Sequence, residues 1–332
     1  MKKCSKILCA IGAALMMVFA VIQSQAVIQG AKEGLTLCLQ VIIPSIFPFL
    51  FFAMLMCNYW KGVHVPFLSP ICKATGIPED AQSILLLGMI GGYPVGAQAI
   101  VQAHNSHSIQ KSTAQRLLGF CNNAGPSFIF GLLGTMFESK LIPLLLWLIH
   151  IGSALLVGTL LPNKQSNSRT VQNSKKESIP GLLRTALQVT AVICGWVIVF
   201  RILLCLLDTL LLSQTEPILR VIIYGLSELS NGCIALPLIC SESIRFTVAS
   251  AMLSAGGLCV LMQTKSVIGD IGISTYLTGK VMQAALSIFL SCLISPFLFH
   301  DSLPILIIPI SLFCFFITLF AVKRKKVVAL CA

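Results

Sequence analysis

Charge is what this sequence lacks. Only 10% of its 332 residues are Asp, Glu, Lys or Arg, against 56% hydrophobic, whereas a soluble domain carries about 25% charged residues. So few charges cannot coat a water-facing surface, which excludes an ordinary soluble globular domain. Catalytic and metal-binding patterns are lacking too. None of the 14 cysteines falls in a CxxC pair, and no Cys/His cluster has metal spacing. There is no HExxH, and the glycine-rich run Gly88–Gly96 lacks the Lys-Ser/Thr ending and the strand–turn–helix setting of a phosphate loop. With no nucleophile–base pair in view, the expectation is a protein that is not an enzyme, with no cofactor, no metal and no nucleic-acid partner. The cysteines read as small packing residues. The histidines His64, His104, His107, His150 and His300 read as interfacial side chains at loops or span ends.

What is present is apolar sequence from end to end, with a mean hydropathy of +0.92. Several runs exceed the ~20 residues a helix needs to cross a bilayer. The expected crossings are Ile7–Ile28, Glu33–Cys57, Gln115–Met136, Leu141–Leu161, Arg184–Leu212, Phe246–Thr264, Ile273–Phe299 and Leu303–Val322. The first run reads as a retained span, with a cleaved signal ending near Ser24-Gln25-Ala26 as the alternative. Basic residues collect in the polar breaks: Lys2, Lys3 and Lys6, then Lys164, Arg169, Lys175 and Lys176, and finally Lys323–Lys326. This bias marks cytoplasmic segments and puts both termini and the central linker on the inner side.

Two further apolar segments, Gln82–Ala103 and Ile218–Cys240, are interrupted at their middles by Gly91-Gly92-Tyr93-Pro94-Val95-Gly96 and by Glu228-Leu229-Ser230-Asn231-Gly232. Glycine and proline break helices. Arms of about nine residues, or ~13 Å, reach less than halfway across a ~30 Å hydrocarbon core, so each segment reads as a re-entrant hairpin. Read as full spans, they would put five crossings before the linker and its positive charge outside, against the positive-inside rule. The pattern also repeats. Leu39-Gln40-Val41 recurs as Leu187-Gln188-Val189, Gly88 aligns with Gly225, and Ala124-Gly125 with Ala255-Gly256. Each unit is span, hairpin, span, span, so an odd number of crossings turns the second unit upside down. The expected fold is all-α integral membrane, with two inverted repeats, each carrying a hairpin and a broken helix. Its parts are a peripheral span (1–29), a first repeat (30–161), a polar linker (162–181), an inverted second repeat (182–300), and a last span with a basic tail (301–332). In this architecture the substrate site lies where the breaks meet near the midplane.

The candidate binding residues follow from those breaks. In the first half they are Gly91, Gly92, Tyr93, Pro94 and Gly96 at the hairpin tip, and Asn122, Asn123, Gly125, Pro126 and Ser127 in the broken span. Paired amides beside a Gly-Pro in mid-membrane are costly unless partnered, and interhelical hydrogen bonding is the alternative to ligand contact. In the second half they are Glu228, Ser230, Asn231 and Gly232 at the tip, then Ser254, Gly256, Gly257 and Gln263, with Lys280 in the next span. For Glu228 the alternative is a helix cap. Arg201, with Asp208 two turns on along the same face, reads as a structural ion pair or an interfacial side chain.

The segments Gly91–Ala97, Phe120–Gly131, Gly225–Gly232 and Ala255–Gln263, with Gly279-Lys280 downstream, resemble the sporulation integral membrane protein YlbJ (SpoVV) family over roughly residues 30–300. That resemblance implies a nucleoside-recognition "Gate" domain, related to concentrative nucleoside transporters and to the gate of the FeoB iron transporter. It further implies a small-molecule substrate, dipicolinic acid, carried during endospore formation across the outer forespore membrane, with both termini on the mother-cell side of a bacterial cell membrane. A nucleoside or other small-solute carrier and a non-transporting spore-envelope assembly protein remain as alternatives. Reporter fusions at Lys175 and at Lys326 are expected to read cytoplasmic, and one at Gln214 the opposite side; opposite readings for Lys175 and Lys326 would sink the hairpin assignment.

Overall fold

Interrupted helices dominate the architecture. The computed structural model describes residues 2–59, 65–78, 81–162, 177–211, 214–299 and 307–330, and among these there is no strand. His64, His300 and the linker cations Lys164, Arg169, Lys175 and Lys176 lie outside the described residues. So do the side chains of Lys2, Lys3, Lys6 and Lys323–Lys326.

The first half contains α1 (Lys2–Ile22), α2 (Ser24–Leu37), a π-helical turn (Cys38–Ile42), α3 (Ile43–Tyr59) and α4 (Ser69–Thr75). The first hairpin follows as α5 (Gln82–Ile90) and α6 (Val95–Asn105). A broken span comes next as α7 (Lys111–Leu118) and α8 (Pro126–Gly131), and then α9 (Leu141–Leu160). The second half contains α10 (Ile179–Leu210), the second hairpin α11 (Pro217–Ser227) and α12 (Leu229–Ala235), a second broken span α13 (Glu242–Ala255) and α14 (Gly257–Ile268), then α15 (Ser274–Leu298) and α16 (Ile307–Leu330). Five helices or continuous helical runs among the described residues are long and apolar enough to cross a membrane. The chain is a multi-pass, all-α integral membrane protein.

Both expected hairpins form. Their arms pack on each other, and neither reaches the length of a span. Both expected breaks form as well, each for a local reason. Pro126 opens α8 at its first turn, where its missing N–H costs nothing. Gly256 and Gly257 take φ of +77° and +75°, which side chains rarely adopt. The faces agree with the hairpin count. Asn58, at the end of α3, accepts the Glu177 N–H at 3.0 Å and donates to the Glu177 carbonyl at 2.8 Å, just before α10 begins. The end of the second crossing and the end of the linker therefore share one face, which needs an even number of crossings between them.

The N-terminal boundaries differ from expectation. A loop was expected between Ile28 and Glu33, yet helix runs unbroken from Ser24 to Met56 and Glu33 sits inside it. Its carboxylate accepts from Arg201 Nε at 2.7 Å and pairs with the same guanidinium through Nη2. A paired carboxylate need not sit in a loop. Arg201 is thus structural, but its partner is Glu33, not Asp208, which instead accepts the Tyr224 hydroxyl at 2.5 and 2.6 Å. Glycine makes the pairing possible. Gly30 and Gly34, one turn apart on α2, let α10 come so close that an added Cβ would lie 2.8 Å from Ile202 Cα and 3.0 Å from Ile198 Cα.

Arg116 on α7 performs a related task for two helix ends. Its guanidinium donates to the carbonyls of Gly158 (2.6 Å), Leu161 (3.3 Å) and Thr75, capping the C-termini of α9 and α4 where the helix dipole is negative.

The hairpins pack backbone against backbone. A Cβ on Gly88 or on Gly96 would collide with the Cys121 carbonyl in the first broken span. Gly96→Ala is therefore expected to lower thermal stability in detergent by the ~1–3 kcal/mol of an overpacked core. Gly152→Ala, whose Cβ meets nothing within 4 Å, should leave the melting temperature unchanged. Equal melting of both variants would mean the hairpin is loosely held.

Candidate functional site

The two hairpin tips and the two broken helices converge. Between them lies a small cavity of about 50 Å³, room for no more than a few waters. Gly91, Gly92 and Tyr93 come from the first tip and Gly125 and Ser127 from the first break. Glu228 and Ser230 come from the second tip, and Gln263 follows the second break. Eight of the residues expected at the site thus share one space, which is walled on the scaffold side by Ile42, Ile46, Ile193 and Val197.

Glu228 reaches this cavity as a helix cap. Its backbone is extended (φ −145°, ψ 121°), and its carboxylate accepts the Ser230 N–H at 3.0 Å and the Asn231 N–H and Nδ2 at 2.8 Å. Asn231 is spent on that cap. Gly232 packs against Gly225, and Gly257 sits over the Gly225 carbonyl, so both serve close approach. Gly256 faces the Tyr93 ring. Pro94 follows Tyr93 through a cis peptide bond, and Pro126 starts its helix.

Asn122 and Asn123 do not line the cavity. The Asn122 amide accepts the Ala97 N–H at 3.3 Å and donates to Thr264 at 3.0 Å, joining the first break to α6 and α14. Asn123 donates to the carbonyls of Gly88 (3.1 Å) and Phe120 (2.6 Å), groups freed where the helices stop. Its oxygen accepts from Lys280 Nζ at 3.2 Å and from Gln283 Nε2 at 3.0 Å. Lys280 also donates to the Tyr93 hydroxyl at 3.0 Å and to Gln283 Oε1 at 2.8 Å, and lies 4.9 Å from the Tyr93 ring centroid. All three of its acceptors are neutral. Tyr93 in turn donates to the Leu253 carbonyl at 3.1 Å. One ammonium on α15 therefore binds the first hairpin tip and the first break, and through Tyr93 reaches the last turn of α13.

His150 corrects the sequence reading. It was expected at a span end, but it stands at the middle of α9 with 1% of its surface exposed. Its Nε2 accepts the Ala124 N–H at 3.0 Å, which places the ring proton on Nδ1, 3.2 Å from the Ser254 hydroxyl. Ser254 bonds Ser287 at 2.6 Å, and Ser287 bonds Ser153 at 2.8 Å. Gln283 donates to the His150 carbonyl at 3.0 Å. His150 and Gln283 are network members the sequence reading missed. A histidine centred in a 20-residue apolar helix was the available signal. His104 and His107 do lie at the end of α6 and in the loop after it.

The motif resemblance is borne out by comparison with known proteins. The chain is similar to the sporulation integral membrane protein YlbJ of Bacillus subtilis (strain 168), 29% identical over 162 residues, which are 47% of this chain and 39% of that protein. No family model matches. No solved structure matches.

Replacing His150 by Phe keeps an aromatic ring but leaves the Ala124 N–H and the Ser254 hydroxyl without it. The expected cost is ~1–3 kcal/mol for each group left unsatisfied, read as a lowered melting temperature in detergent. An unchanged melting temperature would mean that water or another acceptor serves the Ala124 N–H.

Proposed function

We propose that this protein is a secondary-transporter-like carrier of a small polar solute. Its two hairpin tips and two broken helices form the binding site, and the remaining spans hold them in place. One observation carries the reading: both hairpin tips, the first break and the helix that follows the second break line a single small cavity. Structural breaks alone would be answered wherever they fell; their meeting around one space that holds Ser127, Glu228, Ser230 and Gln263 is the arrangement by which carriers of this architecture hold solute near the midplane. At about 50 Å³ the cavity is far below the ~300–1,000 Å³ of ordinary ligand pockets, so the conformation is a closed one, and solute entry requires the hairpin tips to part.

The name of the YlbJ relative supports a role in endospore formation; that the solute is dipicolinic acid, a planar aromatic dianion, is our own reading. The chain matches less than half the length of that protein, so the substrate rests on chemistry as well. Lys280 is a buried amine with neutral acceptors only, and the amides of Asn123 and Gln283 surround it. Once the tips part, these groups supply the charge and the donors a dicarboxylate needs. Glu228 is the carboxylate of the site; it holds the second tip in shape through its cap bonds and takes no part in anion binding. The resident membrane is a bacterial one, the outer forespore membrane on this reading, with both termini on the mother-cell side.

Radiolabelled dipicolinate uptake into proteoliposomes, with nucleosides as the competing panel, tests the proposal. The expected result is saturable dipicolinate flux that nucleosides do not inhibit; nucleoside flux instead would assign the other substrate class. Lys280→Gln should cut dipicolinate flux about tenfold or more, since hydrogen bonds to a charged group contribute ~1.5–3 kcal/mol. At matched expression the order should be wild type, then Asn123→Ala, then Asn123→Asp, whose new carboxylate would pair with Lys280 and repel the anion. Wild-type flux in Asn123→Asp would show that this residue and Lys280 do not meet the solute.

A further inference from the structure

A second cleft, about 470 Å³ in volume, lies outside the closed cavity, between α3, α6, α10 and α14. Its inner end is formed by Pro94 and Val95 of the first hairpin tip and by Val189 and Val192 on α10. Tyr93 and Ile193, the next residues along each element, already line the closed cavity, so the two spaces are separated by little more than the tip itself. The outer end is formed by Asn105 at the end of α6 and by Glu177 beside the linker. The cleft therefore runs from the linker face of the protein to the tip of the first hairpin.

Its lining is unexpected for a bilayer. Gln98, Gln102 and Asn105 lie at i, i+4 and i+7 along α6, one face of the helix. Thr185 and Gln188 face them from α10. The side-chain amides of Gln98, Gln102 and Gln188 make no hydrogen bond among the described residues. Three unpartnered amides facing lipid would each cost several kcal/mol, so this stripe requires water.

We infer that the cleft is a water-filled vestibule through which the solute moves between the linker face and the closed site, with the first hairpin tip as its gate. This rests on the carrier reading above and adds the route and its side. Its lining is neutral apart from Glu177 at the mouth, and it recognises a small polar solute through amide donors and acceptors. The strong charge selection then falls to Lys280, behind the gate.

The test is cysteine labelling of the full-length protein in vesicles. Gln98→Cys, Gln188→Cys and Leu187→Cys are each exposed to a membrane-impermeant charged thiol reagent, with reaction of the parent's own cysteines as baseline. Leu187 is 53% exposed but lies outside the cleft, facing lipid. The two cleft positions should react from the linker face only, and at least ~10-fold faster than Leu187→Cys, because the thiolate needed for reaction forms in water and not in lipid. Labelling there should block solute flux, while treated Leu187→Cys transports normally. Cleft positions as unreactive as Leu187→Cys, or reactive only from the opposite face, would overturn the vestibule. Fast labelling with undiminished flux would overturn the route and leave the carrier intact. A parent protein that moves no solute would instead remove the carrier reading, and the labelling rates would still decide whether the cleft holds water.

Discussion

Backbone that stops being helical inside a bilayer must find all of its hydrogen bonds within the protein. This chain interrupts itself four times within its apolar segments, and several of its buried polar side chains answer those interruptions. Asn123 takes up the carbonyls of Gly88 and Phe120, His150 accepts the Ala124 N–H, Asn122 accepts the Ala97 N–H, and Glu228 caps the start of α12. Glu228 answers its own tip, and Asn123 partly its own break through Phe120. The other bonds tie the first break to both arms of the first hairpin and to α9.

The same economy joins the two halves. Lys280 and Gln283, one turn apart on α15, hold Tyr93, Asn123 and the His150 carbonyl, all in the first half. Ser254 and Ser287 do the same from α13 and α15. A half-satisfied network of this kind is costly in low dielectric, so it fixes the two halves against each other while it is whole. The α2–α10 pair, joined by glycine contacts and the Glu33–Arg201 ion pair, has the opposite character: close, continuous and without breaks. Ile193 and Val197 of α10, with Ile42 and Ile46 beyond α2, wall the cavity's scaffold side.

Most of the fold was legible because the signals were local. Glycine and proline at the centres of Gln82–Ala103 and Ile218–Cys240 marked the hairpins, and Pro126 and Gly256-Gly257 marked the broken spans. Length did the same for α9 and α15. The boundary between the first two crossings was expected between Ile28 and Glu33, but the helix runs through, and Arg201, 168 residues away, pairs with Glu33 inside it. His150 was passed over although it stands at the centre of its span, because its purpose, one backbone N–H at Ala124, belongs to another element. Of the candidate residues, those at the tips and breaks were found as types, but their division between cavity lining and network was not.

Composition and pattern by themselves determined that this is an all-α membrane protein and where its helices break. Those properties follow from hydrocarbon thickness and backbone geometry, which act over twenty residues or fewer. Tertiary structure alone decided that Arg201 pairs with Glu33, that Asn122 and Asn123 serve neighbouring backbone while Ser127 and Glu228 face the cavity, and that amides on α6 and α10 line a common cleft. Those are choices among partners up to 168 residues apart, and a side chain's type says what bonds it needs but not which other element will supply them.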